Sequence, residues 1–582
     1  MHVGTATADP DGSADHPLSE VAGLLESYRQ MPMAASRYVT LVVIPSVIVF
    51  VATVLAAWLL SLPLSIRLPL PLLGGLVFGT AILYPKILIN NRRHEIENKF
   101  HLLITHMTVL SATNIDRMAV FRTLAEEDEY GQLAVEIRRV VEYVDTWNRS
   151  LDDACRRRAK AVPSKPLANF LERLAYTIGA GQELNDFLLS EQSVMIQNYV
   201  TVYESALDNL EVLKDLYLSM ILSMTFALVF AIVLPILTGT SPVLTVAAVI
   251  VLYAFVQVGF YLAVRSMVPH DPVWYFPEGM TPTGERRLLA SIVVGAGGSV
   301  LLVVAVAMEL FGLGPIKPFS VLPGPEIPEP IFVAIPMTPL LIPGIVFRIS
   351  EQRIIERDKE FPSFIRALGA SESAKQSTTT AVLSTLRGKD FGALSGDIDN
   401  LYRRLNMRLD QSTAWRFFAA DSRSYLIQKF SEMYLVGRQM GGDPKQLGEL
   451  ISENMSEVNQ LREQRKQSTV TMIGLLYGIT AASAFAFFIA LEIVTILSNM
   501  TIDIDPGVVG SQLIYTDTYD IPLIRYLLYI VILFNSLLSA LKIRTIDGGN
   551  LTNATIHFVL LTWIACVTGV VTTTIVGTFL SI

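Results

Sequence analysis

Nine apolar runs separate the charged parts of this sequence, and each is close to the length that crosses a bilayer's hydrocarbon core of about 30 Å. Of all residues 51% are hydrophobic and only 17% are charged, so most of the burial is predicted to be in lipid. The second and sixth runs are short and contain proline. The runs are 38–60, 68–83, 216–237, 243–264, 289–311, 331–347, 470–497, 521–541 and 556–580.

The distribution of lysine and arginine predicts the orientation of the chain. Basic residues concentrate in two long charged stretches, in the loop 265–287 and at Lys542 and Arg544, whereas 498–520 has none. Because basic segments stay inside, the N-terminus and both stretches are predicted to be cytoplasmic, with the C-terminus outside, in a multi-pass protein of the cell membrane. The predicted order is a disordered N-terminus (1–37), two spans (38–85), a first module (86–215), two spans (216–264), a cytoplasmic loop (265–288), two spans (289–347), a second module (348–467) and three spans (468–582).

The two modules carry the same landmarks in the same order. Each has a phenylalanine, Phe100 or Phe361, in its first helical pattern, and each later reaches a glycine turn. The interval from Phe100 to Gly181 equals that from Phe361 to Gly442, 81 residues, which predicts two copies of one design. Apolar residues at helical spacing, separated by polar turns, predict four to six short helices per copy. The predicted fold is an all-α polytopic membrane protein with two duplicated cytoplasmic helical bundles.

From each module the chain is expected to continue into the membrane as one unbroken helix. No glycine or proline occurs between residues 188 and 215, and only Gly448 interrupts 447–472. Both segments are therefore predicted to run continuously from a module into the bilayer, which would couple module and span rigidly.

The sequence lacks the patterns that nucleotide binding or covalent chemistry would need. No G-x-x-x-x-G-K-[ST] loop, H-E-x-x-H pair or G-x-S-x-G elbow occurs. We interpret His94, His101 and His106 as structural or surface histidines, and Cys155 and Cys566 as small apolar residues that form no disulfide. The chain is predicted not to be an enzyme and to use no cofactor or metal.

Ionisable residues inside the spans would mark a transport path, and only Glu492 lies deep within one. We interpret it as an interhelical hydrogen-bonding residue. The other ionisable residues of the spans lie near their edges: Glu309, Arg525 and His557. Glycine pairs at helical spacing are expected to pack helices, namely Gly75 with Gly79 and Gly569 with Gly577.

Basic clusters and glycine turns are the candidates for contact with another protein. Arg462, Arg465 and Lys466 precede a span and are expected to face the anionic inner leaflet. The basic residues of the modules are either solvated or dock an acidic partner, and each glycine turn is either a helix C-cap or a shared contact surface. Both modules are nearly neutral, which argues against nucleic acid. The candidate partner-binding residues are Arg156, Arg157, Arg158, Lys160, Gly179, Gly181, Glu183, Arg403, Arg404, Gly441, Gly442 and Asp443.

The glycine turns and the leucines after them, in the segments 181–184 and 442–447, resemble the type II secretion system F family. The resemblance covers 100–188 and 361–450 with the spans that follow each. The nine-span layout, the stretch 217–239 and the acidic, arginine-rich composition, which suits a salt-adapted protein, are similar to the archaellum platforms within that family.

The resemblance implies a membrane platform beneath an archaeal type IV filament. Such a platform transmits conformational work from a cytoplasmic hexameric ATPase to filament assembly and, in an archaellum, to rotation. The implied partners are that secretion or motor ATPase, filament subunits (archaellins or pilins), other archaellum motor components, the lipid bilayer and a second copy in a homodimer.

Two other functions stay open from the sequence. The same architecture serves the platform of an adhesive type IV pilus or a secretion system. The alternative from another class is a secondary transporter with regulatory cytoplasmic domains. It would require paired charges inside the membrane, and the sequence offers only the isolated Glu492.

Overall fold

The computed structural model describes residues 35–59, 69–113, 115–269, 271–277, 285–311, 327–376, 378–500 and 519–580. Within these ranges the backbone is helical, and its only β-type pairing is one isolated antiparallel bridge between Trp274 and Ser424. The predicted all-α polytopic fold is confirmed. Of the segment 1–37 that was predicted to be disordered, residues 1–34 lie outside the described residues, whereas 35–37 belong to the helix Ala35–Tyr38, so the prediction is wrong there.

Eight helices of the described chain are long and apolar enough to cross a membrane. They coincide with eight of the nine predicted spans. The remaining predicted span, 68–83, coincides with the start of α2 (Pro69–Ser111). Leu68 and most side chains of this span lie outside the described residues, so the span stays a prediction. The eight helices are α1 (Ile44–Leu59, preceded by Ala35–Tyr38 and a π-turn at Val39–Val43), α7 (Leu184–Val233), α8 (Pro242–Met267), α9 (Glu285–Phe311), α10 (Leu341–Lys375, preceded by Ile331–Ala334 and a 3₁₀ turn at Ile335–Leu340), α15 (Pro444–Met500), α16 (Ile521–Asp547) and α17 (Ala554–Leu580).

The first module contains four short helices between α2 and α7. They are α3 (Arg117–Glu126), α4 (Gln132–Asp145), α5 (Leu151–Ala159) and α6 (Lys165–Gly179), with a 3₁₀ turn at Asp128–Tyr130. The second module repeats this order between α10 and α15. Its helices are α11 (Thr379–Leu386), α12 (Ser395–Asn406), α13 (Gln411–Ser422) and α14 (Tyr425–Gln439), with a 3₁₀ turn at Gly392–Leu394.

Long unbroken helices connect the modules to the spans. The predicted continuity of 188–216 and 447–472 is confirmed, because they lie within α7, of 50 residues, and α15, of 57. The entering helices α2 and α10 are unbroken as well, of 43 and 35 residues, although Pro85 and Pro362 lie inside them. The sequence did not predict this, because an internal proline usually ends or kinks a helix. The predicted module boundaries at 86 and 348 thus fall inside helices.

The chain forms two compact units, each with its own core. One comprises the described residues up to Leu103 together with Phe121–Glu183; the other comprises Ile104–Val120 and the described residues from Leu184 onward. In the first unit, Phe100 meets Phe170 edge to face at 5.6 Å, and both side chains are buried.

The core of the second module is an aromatic cluster within the second unit. Phe364 lies 6.0 Å from Phe418 and meets Phe391 edge to face at 5.6 Å. Trp415 in turn lies edge to face with Phe418 at 5.5 Å. Aromatic pairs in these geometries contribute about 0.5–1.5 kcal/mol each beyond the area that they bury.

The duplication is visible in the backbone, but the predicted register is wrong by one residue. In both copies the penultimate helix has 15 residues and ends with the same pair of turn hydrogen bonds. The residue with positive φ is Gly181 (77°) in the first copy and Gly441 (89°) in the second. Gly181 therefore corresponds to Gly441 and not to Gly442, because Gly181 and Gly441 are the glycines that adopt the left-handed conformation that ends the helix.

The sequence predicted close helix packing at both Gly569 and Gly577, and the structure shows it between α15 and α17 at Gly569 only. A Cβ on Gly569 would lie 2.7 Å from Cδ2 of the buried Phe488, whereas one on Gly577 would meet nothing within 4 Å. We expect Gly569→Ala to destabilise the protein by about 1–3 kcal/mol through overpacking, and Gly577→Ala to have almost no effect. Thermal unfolding of both variants in the same nanodiscs checks this, and equal stability of the two would contradict the packing.

Candidate functional site

Buried charges join the base of the second module to the neighbouring helices. Arg462, on α15 just before its apolar stretch, places its guanidinium between two carboxylates. Its Nε and Nη2 donate to Asp271 at 2.6 and 2.7 Å, and its Nη1 donates to Asp358 at 2.7 Å. Asp358 lies on α10 and is fully buried. One arginine fork therefore connects α10, α15 and the segment that follows α8.

The segment 271–277 adds backbone pairing to this connection. The amide of Tyr275 donates to the carbonyl of Arg423 at 2.8 Å, and the amide of Tyr425 donates to Val273 at 3.1 Å. Ser424, between them, donates its hydroxyl to Asp358 and accepts the amide of Ile427 at 3.1 Å as the N-cap of α14. The chain that follows α8 is thus fixed to the turn between α13 and α14.

A second buried ion pair connects α10 to the last turns of α16. Arg544 donates to Glu351 at 2.5 Å, and both side chains are almost completely buried. The other oxygen of Glu351 accepts from the Trp274 indole at 2.9 Å, the Asn550 amide at 3.0 Å and the Asn553 side chain at 3.0 Å. Four donors satisfy this carboxylate, which is the condition for a buried charge to persist in the folded protein.

The turn after α16 is shaped by two glycines with positive φ, Gly548 (81°) and Gly549 (84°). Arg465 on α15 donates to carbonyls of this region, to Ile546 at 2.5 Å and to Thr545 at 3.0 Å. It also donates to the carbonyl of Pro269 at 3.2 Å.

We call the six charged residues that make these contacts the charged collar: Asp271, Glu351, Asp358, Arg462, Arg465 and Arg544. Because its groups are buried and satisfied, displacing any one helix would leave charges unpaired in a medium of low dielectric. The contacts therefore tie α10 and α15 to the segment after α8 and to the end of α16.

Another polar cluster lies deeper, among the spans. Lys542 on α16 is completely buried; it donates to Gln257 of α8, and its Nζ lies 4.0 Å from the ring centre of Tyr217 on α7. The Gln257 amide donates in turn to Asn535 at 2.8 Å. These contacts fix α16 against α7 and α8. In the sequence, Lys542 indicated only the orientation of the chain.

The basic residues predicted on the first module differ in environment. Arg158 is mostly buried and pairs with Glu136 at 2.5 Å, which makes it structural. Arg157 is half exposed and pairs with Asp153 at 2.9 Å, while Arg156 and Lys160 are exposed. Arg156, Arg157 and Lys160 are therefore accessible to a partner. Burial raises the pKa of the neighbouring Cys155 thiol to about 12, so it is an inert core residue.

The predicted basic residues of the second module are also divided. Arg403 is 68% exposed and pairs with Asp399 at 2.6 Å. Arg404 pairs with Asp421 at 2.7 Å and lies 5.0 Å from the ring centre of Phe417, which restricts it. Arg403 is thus the more accessible of the two.

The glycine turns are helix caps, and they differ in accessibility. A Cβ on Gly181 or Gly441 would meet nothing within 4 Å, so both face open space. Gly442 is buried, and its Cβ would lie 2.9 Å from the Gly437 carbonyl and 3.3 Å from the side chain of Thr113. Thr113 covers Gly442, so of the two glycines in this turn Gly441 is the accessible one. The other predicted residues of the two turns are exposed: Gly179, Glu183 and Asp443.

Two predicted leaflet contacts are corrected by the structure. Arg462 and Arg465 lie on the buried face of α15 and bond to protein groups, whereas Lys466 is exposed. Lipid-facing and protein-facing arginines both occur beside apolar runs, so this position in the sequence did not distinguish between them. The available signal was their spacing: positions 455, 458, 462, 465 and 469 form one helical stripe that is apolar at its start.

The other ionisable candidates have ordinary environments. Arg525 pairs with Glu329 at 2.5 Å, His557 lies 3.0 Å from the Tyr477 hydroxyl, and Glu492 is half-buried on α15. Burial, with the nearby charge of Lys429, lowers the pKa of His106 to about 3, so this histidine is neutral at physiological pH. Among the described residues no group of three or more His, Cys, Asp or Glu side chains is arranged to hold a metal.

Comparison with known proteins gives a family match and two similar proteins of almost full length. Residues 103–234 match the model described as Type II secretion system (T2SS), protein F. A Flagella accessory protein J from Methanocaldococcus jannaschii is 33% identical over 557 residues, which cover 94% of this chain and 96% of that protein. A Flagella accessory protein J from Methanococcus voltae is 32% identical over 520 residues, covering 89% and 91%. No solved structure matches significantly.

Proposed function

Because the chain belongs to the family of Flagella accessory protein J, we propose that it is the membrane platform of an archaeal type IV filament machine and that the filament is an archaellum. The match spans nearly the whole length of these proteins, which supports a common arrangement of membrane helices and modules. The platform converts conformational work from a cytoplasmic hexameric ATPase into assembly and rotation of the filament.

The charged collar is the observation that best supports transmission of work. A partner that moves the second module also moves α10 and α15, which are single helices from the module into the spans. The collar extends the movement to α8, α16 and α17 through paired buried charges. Helices that pack closely and are joined by buried ion pairs in this way move as one rigid body.

The orientation and the partners are part of the proposal. The modules lie in the cytoplasm, where the ATPase works, and the platform is a homodimer that also contacts archaellins and other motor components. The accessible basic residues Arg156, Arg157 and Arg403 contribute to the surface that the ATPase meets. A salt-sensitive association would follow from such a surface.

Deletion and complementation in the source organism test the proposal. We expect the deletion strain to lack archaella and to be non-motile, and the wild-type chain to restore both. If the deletion strain still swims and loses only adhesive pili, the filament is a pilus and the archaellum assignment is wrong. Glu492→Gln serves as a control for the transporter alternative, and we expect it to restore swimming fully.

The coupling to the motor is tested separately with the full chain in nanodiscs. We expect the cognate ATPase to bind it at low salt and to hydrolyse ATP faster when bound. The charge reversal Arg156→Glu with Arg157→Glu should weaken binding about tenfold, since like-charge contacts oppose association. An ATPase that neither binds nor responds to the wild-type platform would contradict the motor role.

A further inference from the structure

The same turn in each module exposes one large apolar side chain. Trp147, between α4 and α5, is 70% exposed, and Met407, between α12 and α13, is 72% exposed. The next residue has positive φ in both copies, 49° at Asn148 and 62° at Arg408. The separation of Trp147 from Met407 is 260 residues, which is also the separation of the first residues of α6 and α14. The two side chains therefore occupy equivalent positions.

In the first module this turn lies at the end farther from the span. Glu97 of α2 accepts from Ser164 at 3.3 Å, where α6 begins. From there α6 runs 15 residues, about 22 Å, to Gly179. A Cβ on Gly179 would lie 3.8 Å from Asp152 at the start of α5, directly after the turn.

The second module has the same arrangement. Gln411, at the start of α13, donates to Thr379 at 3.3 Å, and Thr379 begins α11 just after α10 ends. The end of α10 is the end opposite to its apolar stretch. Both exposed side chains are thus held away from the bilayer, which favours a protein over a lipid surface as their partner.

Arginines outnumber the carboxylates that they pair with near each exposed side chain. Beside Trp147, Arg149 and Arg157 share the single Asp153 at 3.9 and 2.9 Å. Arg156, on the next turn of α5, is exposed. Asp145 pairs with Arg122 at 2.7 Å and Asp152 faces the charge of Arg156, so the excess positive charge around Trp147 is that of the arginine that Asp153 does not neutralise.

Beside Met407 the second module repeats the pattern with different residues. Arg387 and Arg403 share Asp399 at 3.6 and 2.6 Å, and Arg408 follows Met407 directly. Exposed aromatic residues, methionine and arginine are the types enriched at interface centres, where an apolar anchor fills a pocket.

We propose that Trp147 and Met407 are paired anchors that insert into apolar, acid-rimmed pockets of the motor ATPase. Two equivalent anchors on one chain fit a partner that repeats the same pocket in neighbouring subunits, as a hexamer does. Positive charge around each anchor requires negative charge around each pocket. This inference rests on the proposed motor role and adds the surface that carries it.

Binding of the cognate ATPase to the full chain in zwitterionic nanodiscs tests the anchors. We expect Trp147→Ser and Met407→Ser each to weaken binding about tenfold or more, and the double variant to weaken it further. Tyr176→Ser is the matched control, because Tyr176 is 75% exposed on α6 of the first module. It should bind like the wild type. All five chains, the wild type included, are compared at equal thermal stability.

The outcomes separate this inference from the proposed function. Two results would show that Trp147 and Met407 are not anchors while the motor role stands. One is that the anchor variants bind the ATPase as tightly as the wild type does. The other is that Tyr176→Ser loses as much affinity as the anchor variants. If the wild type does not bind at all, both fail. Quenching of Trp147 fluorescence by brominated lipid would place the turn on the bilayer and overturn the anchors.

Discussion

Replacing Arg462 with leucine is expected to destabilise the protein by about 3–5 kcal/mol, because it leaves two buried carboxylates without their cation. Asp358 and Asp271 both bond to this guanidinium within 2.7 Å, and the side chain of Asp358 is fully buried. Burial of an unpaired charge costs far more than the lost contact itself. Thermal and denaturant unfolding of the purified chain in nanodiscs measure the effect.

The control for this variant is an exposed arginine of the same module. Arg403→Ala removes an ion pair whose arginine is 68% exposed, and it should cost only about 0.3–0.5 kcal/mol. Arg462→Lys keeps the charge but not the fork, so its stability should lie between wild type and Arg462→Leu. If Arg462→Leu is no less stable than Arg403→Ala, the buried pairing is not present.

Gly549→Ala is expected to be the second strongly destabilising change, by about 2–5 kcal/mol, from positive φ together with overpacking. Its φ is 84°, and a Cβ there would lie 2.5 Å from the Glu351 carboxylate and against Arg544. The methyl group would push apart an ion pair that is almost completely buried. We expect a lower unfolding temperature and loss of swimming in the complemented strain.

Gly181→Ala is the matched comparison, because its φ of 77° is similar and its Cβ would meet nothing within 4 Å. It isolates the backbone cost, about 1–2 kcal/mol. The difference between the two variants measures the packing of the collar. Equal destabilisation would mean that the turn after α16 does not pack against Glu351.

The sequence predicted those parts of the fold that depend on local pattern. Apolar length identified the spans, and the absence of breakers identified α7 and α15 as continuous helices. It did not predict α2 and α10 as continuous, and Pro85 and Pro362 lie inside these helices. A helix absorbs such a proline when surrounding packing compensates the lost hydrogen bond, and that compensation is tertiary.

The candidate site was harder to predict, because burial of a charge depends on which helices meet. Arg462 and Arg465 were assigned to the lipid surface, yet their partners Asp271 and Ile546 lie about 190 and 80 residues away in sequence. Lys542 was missed for the same reason, since Gln257 is 285 residues away. Its spacing from Asn535 and Ser539 on one face of α16 was the available local signal.

The most direct test of the account is a distance measurement across the collar while the motor works. Spin labels at Ser363→Cys, exposed on α10 within the second module, and Leu551→Cys, exposed in the turn between α16 and α17, report this distance. The native Cys155 and Cys566 are buried and should not react. The account predicts one narrow distance that is the same without ATPase and with ATPase in each nucleotide state, because the collar moves as one body. A distance that shifts or broadens with nucleotide would contradict it.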